Sequence, residues 1–278
     1  MATNQTPTTA FHNGTFEPIS KMQVPVDSLI VNRAYGAYEF LRINQSKPFY
    51  LDRHLNRFFK SLNILRLSVH FQRAEIEQII NEIIQKNGIS DFFIKLFAVP
   101  ESSNKAVNPS GLFIIPCQFP NYPDEMYQNG ANLILKEYSR FLPEAKSTNY
   151  MASEFWQNEM SEKQAIDVLY FAGEEVFETS RGNLFLVKGN DIFTPDKNIL
   201  KGITRSIVMD LTNDENPVKD LAISVRNLFW ADEIFITSTT KKIMPIVKIK
   251  NATIGDGLVG PVSKKILALY NQKLGIGN

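Results

Sequence analysis

The segment Leu200–Val208 reads LKGITRSIV and places Gly202 and Thr204 at the entrance to an apolar helical pattern. A threonine there is typical of a helix N-cap, because its side-chain oxygen can accept a hydrogen bond from the first turn. The unpaired N–H groups of a first helical turn can also bind a phosphate group. The segment alone therefore leaves a structural role and a phosphate-binding role open.

Other segments also combine polar and charged side chains that could do chemistry. They are HLNR at 54–57, AKSTNY at 145–150, ETSRGNLF at 178–185 and TSTT at 237–240. Each is weak by itself, since most arginines, lysines and glutamates are simply solvated and most Ser/Thr runs form turns. Their order along the chain has to decide between these interpretations.

Several other chemistries have no support in the sequence. The three histidines, His12, His54 and His70, are scattered, and no Cys/His/Asp cluster has metal-ligand spacing, so we expect no protein-bound metal. There is no GxSxG motif and no phosphate-binding loop of the Walker type.

The composition favours an ordinary globular protein. The chain has 278 residues, 44% hydrophobic content and a net charge of +1, which gives no reason to expect nucleic-acid or membrane binding. It contains a single cysteine, Cys117, so a disulfide framework is excluded and a reducing compartment is the simplest interpretation. No signal peptide or membrane span is recognisable, and we expect a cytoplasmic location.

Helices and strands alternate in the first part of the chain. Apolar residues recur at helical spacing from Leu51 to Leu62 and from Ile76 to Ile84. Gly88 predicts the end of the second helix. Two strands follow, DFFIKLFAV at 91–99 and GLFIIPC at 111–117.

The second part is also mixed. Strands are predicted for ANLILKEY and IDVLYFAG. The stretch VFETSRGNLFLV is predicted to pair with DIFTP through a turn at 188–190. The stretch ADEIFITSTTKKIMPIV predicts a strand, a polar turn and a second strand. Helical patterns cover Met151–Lys163, Arg205–Leu211 and Pro261–Leu274. The fold class is therefore α/β or α+β. We predict a small N-terminal α/β domain (1–118), a proline-marked linker (119–124) and a larger C-terminal domain (125–278).

The ordered combination AKSTNY…E-x4-NLFLV…TP…ILKGITR…ADEIFITSTT…P resembles the class IV aminotransferases, which include branched-chain aminotransferase, D-amino acid aminotransferase and aminodeoxychorismate lyase. The resemblance covers most of the chain. It implies a two-domain D-amino acid aminotransferase-like fold with pyridoxal 5′-phosphate in the interdomain cleft.

The resemblance also implies roles for individual residues. Lys146 would form the Schiff base with the cofactor aldehyde and then move protons at the substrate Cα, which suits an amine whose pKa falls on burial. Glu178 would keep the pyridine nitrogen protonated, and Tyr150 would hydrogen-bond the cofactor. The phosphate would be held by further groups: Arg57, the N–H groups of Ile203 and Thr204, and Thr239. Gly202 would leave room for it.

The substrate side departs from the family pattern. Candidate substrate contacts are Tyr38, Lys95, Arg33 and Thr240. The stretch 97–100, FAVP, lacks the arginine and histidine with which D-amino acid enzymes hold the substrate carboxylate, which counts against D-amino acid activity. Lys95, alone or together with Arg33, is predicted to hold the distal carboxylate of glutamate or 2-oxoglutarate. A lysine that merely reaches solvent from a strand edge is the alternative.

The resulting hypothesis is a homodimeric transaminase that moves an amino group between a branched-chain-like amino acid or glutamate and a 2-oxo acid by a ping-pong mechanism. An aminodeoxychorismate lyase-like enzyme that releases pyruvate is one alternative, although lyases typically have threonine in place of Glu39. A catalytically inactive relative is the other.

Overall fold

The chain forms two compact units. The computed structural model describes residues 6–100, 110–118, 121–212 and 217–275. The first unit is Met1–Pro120 with Ala145–Tyr150, and the second is Asn121–Glu144 with Met151–Asn278.

The first unit is built on a six-stranded antiparallel sheet. Its order is β2-β1-β6-β5-β3-β4. The strands are β1 (Thr9–His12), β2 (Thr15–Pro18), β3 (Ala37–Asn44), β4 (Lys47–Pro48), β5 (Phe92–Val99) and β6 (Gly111–Cys117). The helices are α1 (Leu29–Arg33), α2 (Leu51–Ile64) and α3 (Arg73–Asn87), besides a 3-10 turn at Ile19–Lys21.

Helices α2 and α3 form where apolar periodicity predicts them, and both bury their apolar face in one core with the sheet. Leu55 and Phe58 of α2 and Ile80 of α3 are buried there with Leu41 of β3. Helix α3 ends at Gly88, whose positive φ of 63° suits a glycine cap, as the sequence predicts. The opposite face of the sheet is left for other contacts.

The second unit is built on a ten-stranded sheet that mixes parallel and antiparallel pairs. Its strands are β7 (Ala131–Glu137), β8 (Ala165–Ala172), β9 (Glu175–Thr179), β10 (Gly182–Lys188), β11 (Asp191–Thr194), β12 (Val218–Asp220), β13 (Ile223–Ser224), β14 (Glu233–Ser238), β15 (Lys242–Ile249) and β16 (Ala252–Thr253). Its helices are α4 (Asp124–Asn129), α5 (Met151–Phe155), α6 (Gln157–Glu162), α7 (Ile203–Thr212), α8 (Val225–Trp230) and α9 (Pro261–Lys273).

Six of these strands close into a ring. The pairings run β10-β14-β15-β7-β8-β9, and β9 pairs again with β10. Closure is tight at Gly182, where a Cβ atom would lie 2.6 Å from the carbonyl oxygen of Thr237. A glycine is therefore required where the hairpin of β9 and β10 meets β14.

Most predicted elements of the second unit are confirmed, with two differences. The stretch VFETSRGNLFLV is itself a hairpin, β9 and β10, because the chain turns at Ser180 and Arg181. The single helix predicted for 151–163 is divided into α5 and α6 at Trp156, whose backbone leaves the helical region. The indole of Trp156 packs against Tyr138 and Tyr170, so aromatic packing prevails over the helical pattern.

The mixed fold class is confirmed, whereas the predicted division into 1–118, 119–124 and 125–278 stays a prediction. Residues 119–120 of the predicted linker lie outside the described residues. That division gives no indication that 145–150 return to the first unit, where Ala145 is buried in the core. In the described ranges, no helix has the length and apolarity that crossing a bilayer requires.

The core of the first unit gives a direct test of this packing. Replacing Ile80, which is fully buried, by alanine should lower the free energy of unfolding by about 2–5 kcal/mol, because a cavity remains. Urea unfolding followed by circular dichroism measures this. Gln78→Ala, at an exposed position of the same helix, should stay within about 0.5 kcal/mol of the wild type. Equal effects of the two substitutions would contradict the packing.

Candidate active site

The main chain of Lys146 is fixed to two elements of the first unit. Its N–H donates to Oγ of Ser61 on α2 at 3.0 Å, and its carbonyl accepts from the N–H of Tyr38 on β3 at 2.9 Å. A β-bridge between Ala37 and Ser147 adds to this attachment. The segment that carries the amine is therefore held in place on both sides of Lys146.

The side chain of Lys146 points to two tyrosines. Its Nζ lies 3.2 Å from the hydroxyl oxygen of Tyr150 and 4.7 Å from the ring centroid of Tyr38, a cation–π distance. Burial, with further contributions from Tyr150 and Glu39, raises the pKa of Tyr38 well above its ordinary value. The Tyr38 phenol therefore keeps its proton. Lys146 is half-buried, and these contacts orient its amine.

Arg57 is held by a carboxylate that the sequence did not assign to it. Its Nε and Nη2 donate to the two oxygens of Glu39 at 2.9 and 2.6 Å, in a bidentate pair. Nδ1 of His54 donates to the same carboxylate at 3.1 Å. Burial alone would raise the pKa of Glu39, but the Arg57 charge and these hydrogen bonds hold it well below its usual value. The pair orients Arg57, and Nη1 of Arg57 takes no part in the bidentate contact with Glu39.

His54 completes this buried cluster. Burial lowers the pKa of His54, with a smaller opposing effect from the hydrogen bond to Glu39, so the imidazole stays neutral at pH 7. The signal available in the sequence was spacing, because His54 and Arg57 are three residues apart and so share a face of α2.

In the second unit, Glu178 is a buried carboxylate with two anchors. Its Oε1 accepts from Nη1 of Arg140 at 2.8 Å and its Oε2 from the backbone N–H of Leu200 at 2.9 Å, and the residue is 4% exposed. Sequence reasoning missed Arg140, which lies 38 positions away. These contacts favour an ionised, oriented carboxylate.

Asn183 brings Glu178 next to the segment that precedes α7. In the sheet it lies opposite Glu178 on one side and Thr237 on the other. Its Nδ2 donates to the carbonyl of Leu200 at 2.8 Å, and its Oδ1 accepts from the N–H of Gly202 at 3.1 Å. A Cβ at Gly202 would lie 2.3 Å from that Oδ1. The lack of a side chain at Gly202 thus serves the contact with Asn183, and its expected role of leaving room for a phosphate stays a prediction.

Helix α7 begins just after Gly202, and Thr204 is not its cap. The N–H of Ser206 donates to the carbonyl of Gly202 at 3.0 Å, so Ile203 and Thr204 occupy the first turn. Their N–H groups precede the first intrahelical donor and have no acceptor within the helix. The structural alternative, a Thr204 cap, is therefore wrong. Arg205 is buried and pairs with Asp220 at 2.6 Å, a structural role.

The TSTT segment ends β14 and turns into β15. Thr239 and Thr240 form the half-buried turn, and the preceding Ser238 accepts the N–H of Lys241 through its Oγ at 2.9 Å. The Oγ1 of Thr237 is buried and has no hydrogen-bond partner among the described residues. This end of β14 thus offers hydroxyl groups for a ligand.

Three of the four candidate substrate residues lie in the first unit, where they occupy two places, and Thr240 lies in the second unit. Tyr38 stacks on Phe97 at 5.1 Å between ring centroids, and Lys95 lies opposite Phe40 in the same pair of strands. Since alternate residues of a strand share a face, these side chains lie on the face away from the helical core. Arg33, in contrast, is exposed at the end of α1 and donates to the carbonyl of its neighbour Asn32.

The predicted site residues thus form one group in each unit. Tyr38, Arg57, Lys146 and Tyr150 cluster in the first unit, where Arg57 interacts electrostatically with both tyrosines. In the second unit, Glu178 and the start of α7 meet around Asn183. No group of His, Cys, Asp or Glu side chains that could hold a metal occurs in the part of the chain that the structure describes.

The chemistry of each group, considered by itself, suits a part of pyridoxal 5′-phosphate. An oriented lysine amine suits the aldehyde, a buried carboxylate suits the protonated ring nitrogen, and unpaired first-turn N–H groups suit the phosphate. The buried Thr237 hydroxyl without a partner among the described residues is a further donor in the second group.

Comparisons with known proteins agree with this chemistry. The family model described as Amino-transferase class IV matches residues 36–249. D-alanine aminotransferase of Staphylococcus haemolyticus is 28% identical over 274 residues, which cover 95% of this chain and 97% of the relative.

Solved structures show the same fold. A T.th. branched-chain amino acid aminotransferase with pyridoxamine 5′-phosphate is 27% identical, with a TM-score of 0.90 over 97% of this chain and 95% of that chain. The branched-chain amino acid aminotransferase of Escherichia coli matches with a TM-score of 0.90 at 23% identity, over 98% and 96% of the two chains, and supports the fold alone. With well over half of the chain matched by its family model, the protein belongs to the class IV aminotransferases, which use pyridoxal 5′-phosphate as cofactor.

Proposed function

We propose that this protein transfers an amino group between a branched-chain-like amino acid or glutamate and a 2-oxo acid in a ping-pong reaction, with Lys146 as the catalytic residue. The observation that carries the proposal is the orientation of the Lys146 amine by the Tyr150 hydroxyl and the Tyr38 ring. A nucleophilic amine in a partly buried, aromatic setting suits covalent and proton-transfer chemistry.

Pyridoxal 5′-phosphate, when bound, supplies an aldehyde for the amino group and a ring that accepts the electrons of a substrate carbanion. Lys146 would take the proton from the substrate Cα as general base and, as general acid, would give it to the cofactor carbon that carried the aldehyde oxygen. Tyr150, hydrogen-bonded to Nζ, keeps the amine oriented for this transfer. Glu178 would accept the proton of the ring nitrogen in a hydrogen bond, and its contacts with Arg140 and the Leu200 N–H orient it for this role.

The phosphate is assigned to groups whose character suits a dianion. They are the Arg57 guanidinium, the N–H groups of Ile203 and Thr204, and Thr239. Charged and backbone donors together bind phosphate strongly. Arg57 keeps its orientation because Glu39 holds two of its nitrogens.

The substrate assignment follows from the aromatic face of the first sheet. Tyr38, Phe40 and Phe97 offer apolar contact to a branched side chain, and Lys95 offers one cation on the same face. Such a surface suits both an apolar amino acid and the distal carboxylate of glutamate or 2-oxoglutarate. Thr240 and Arg33 are weaker candidates, since Arg33 is exposed.

We also infer a homodimer and a cytoplasmic location. Both units expose large apolar side chains: Val26 is 80% exposed in the first, and Phe141 (81%) and Phe155 (79%) stand out in the second. Contiguous exposed apolar patches mark interfaces between subunits, and these side chains are candidates for such a patch. The single free thiol, Cys117, suits a reducing compartment.

Loss of the lysine amine should abolish turnover. Lys146→Ala should lower kcat for L-amino acid and 2-oxo acid pairs by at least about 10³-fold, because the proton acceptor at Cα is removed. Steady-state assays with both substrates measure kcat, and the visible absorbance of the cofactor-loaded enzyme is also followed while a panel of L- and D-amino acids is added without 2-oxo acid. Lys163→Ala, at an exposed lysine, is the control and should leave kcat unchanged. Pyruvate release from an aminated chorismate-type substrate without a 2-oxo acid would instead support the lyase.

Lys95 should affect the binding of an acidic 2-oxo acid and leave the binding of an apolar one unchanged. Lys95→Ala should raise KM for 2-oxoglutarate about tenfold and leave KM for an apolar 2-oxo acid within about twofold, since only the acidic substrate loses a charged partner. Steady-state kinetics with both acceptors measures this, with Lys47→Ala, at an exposed lysine of β4, as control. An unchanged 2-oxoglutarate half-reaction would assign Lys95 to the strand surface.

A further inference from the structure

A buried ion pair in the second unit lies outside the residues assigned to the cofactor. Asp167 on β8 is fully buried and Lys241, directly after the turn at Thr239 and Thr240, is 1% exposed. Their Oδ2 and Nζ are 2.8 Å apart. Neither residue has a role in the chemistry described above.

Asp167 also binds the hairpin that carries Glu178. Its Oδ2 accepts from Oγ1 of Thr179 at 3.1 Å, and its Oδ1 accepts from Oγ of Ser180. These two hydroxyls belong to the residues that immediately follow Glu178. One carboxylate thus holds both the Glu178 hairpin and the lysine of the TSTT turn.

The pair joins strands that are not neighbours. Strand β8 is separated from β15 by β7 on one side of the ring, and from β14 by β9 and β10 on the other. Within the sheet, strand β9, which carries Glu178, is linked to β14 through β10, where Asn183 lies opposite Thr237. The Lys241–Asp167 contact spans the ring directly.

Stability alone gives a weak reason for such a pair. Removing two charges from water is costly, and apolar residues of similar volume often stabilise a core as well. Burial alone would raise the pKa of Asp167, but Lys241 and the hydroxyl donors hold it below its usual value, so the carboxylate keeps its charge. The main chain of Lys241 has separate anchors, since its carbonyl accepts from the Tyr127 hydroxyl at 3.3 Å and its N–H donates to Ser238.

We propose that Asp167 and Lys241 are positioning residues that fix the spacing between the Thr239–Thr240 turn and the Glu178 carboxylate, so that both bind one cofactor molecule at once. The proposal rests on the proposed function, which assigns the phosphate to the turn and the ring nitrogen to Glu178. Two contacts with a single rigid ligand strengthen each other only when their spacing matches that ligand.

The test compares ligands with and without a phosphate. The double variant Asp167→Asn with Lys241→Met leaves no unpaired buried charge, and Ser180→Ala removes one hydroxyl from Asp167 without a change of charge. Full-length protein freed of cofactor is titrated with pyridoxal 5′-phosphate and with pyridoxal by calorimetry. The readout is the ratio of the two Kd values, and thermal unfolding reports the fold.

Glu233→Gln is the matched control. Glu233 is a buried carboxylate at the other end of β14, where it accepts from Ser263 Oγ at 2.7 Å and from the N–H groups of Val262 and Ser263. This substitution disturbs a buried carboxylate of the same strand without touching the turn. It should lower the unfolding temperature and leave the ratio of Kd values unchanged.

The expected result is a fall of about tenfold or more in the preference of the double variant for the phosphorylated ligand, with a smaller fall for Ser180→Ala. A purely structural pair would shift the unfolding temperature alone. Unchanged ratios in folded Ser180→Ala and double variants would overturn the proposal; if the double variant does not fold, the Ser180→Ala ratio decides. Wild-type protein that binds both ligands but transfers no amino group would contradict the proposed function and leave this comparison valid.

Discussion

The attachment of Lys146 to the first unit is the constraint on which the site depends. Residues on both sides of 145–150 belong to the second unit, yet Ser61 and Tyr38 hold the main chain of Lys146 in the first. The amine is therefore positioned by a helix and a strand rather than by a free loop. A side chain whose main chain is held in this way needs little further ordering when a ligand binds.

Buried opposite charges orient the remaining polar groups. Glu39 holds Arg57, Arg140 holds Glu178 and Lys241 holds Asp167. Buried pairs of this kind contribute less to net stability than to a defined geometry, because desolvation offsets much of their attraction. Their common effect is that each charged group has one orientation before any ligand binds, which is the electrostatic preorganisation that catalysis requires.

The sequence predicted what depends on local pattern and missed what depends on distant partners. Apolar periodicity located α2 and α3, and the start of α7 was placed within a few residues. Two contacts depend on strand pairings that no local motif encodes. They are the contact of Glu178 with Arg140 and the contact of Lys241 with Asp167, which are 74 residues apart. The close approach of Gly202 to Asn183 likewise depends on a partner that the local motif does not reveal.

Borohydride reduction of the cofactor-loaded protein, followed by peptide mapping, tests the central claim most directly. Reduction fixes a carbonyl group to the amine that holds it, so the modified residue reveals which lysine forms the covalent link. We expect one phosphopyridoxyl group per chain, on the peptide that contains Lys146. Modification of a different lysine, or none in protein that binds the cofactor, would contradict the assignment of Lys146.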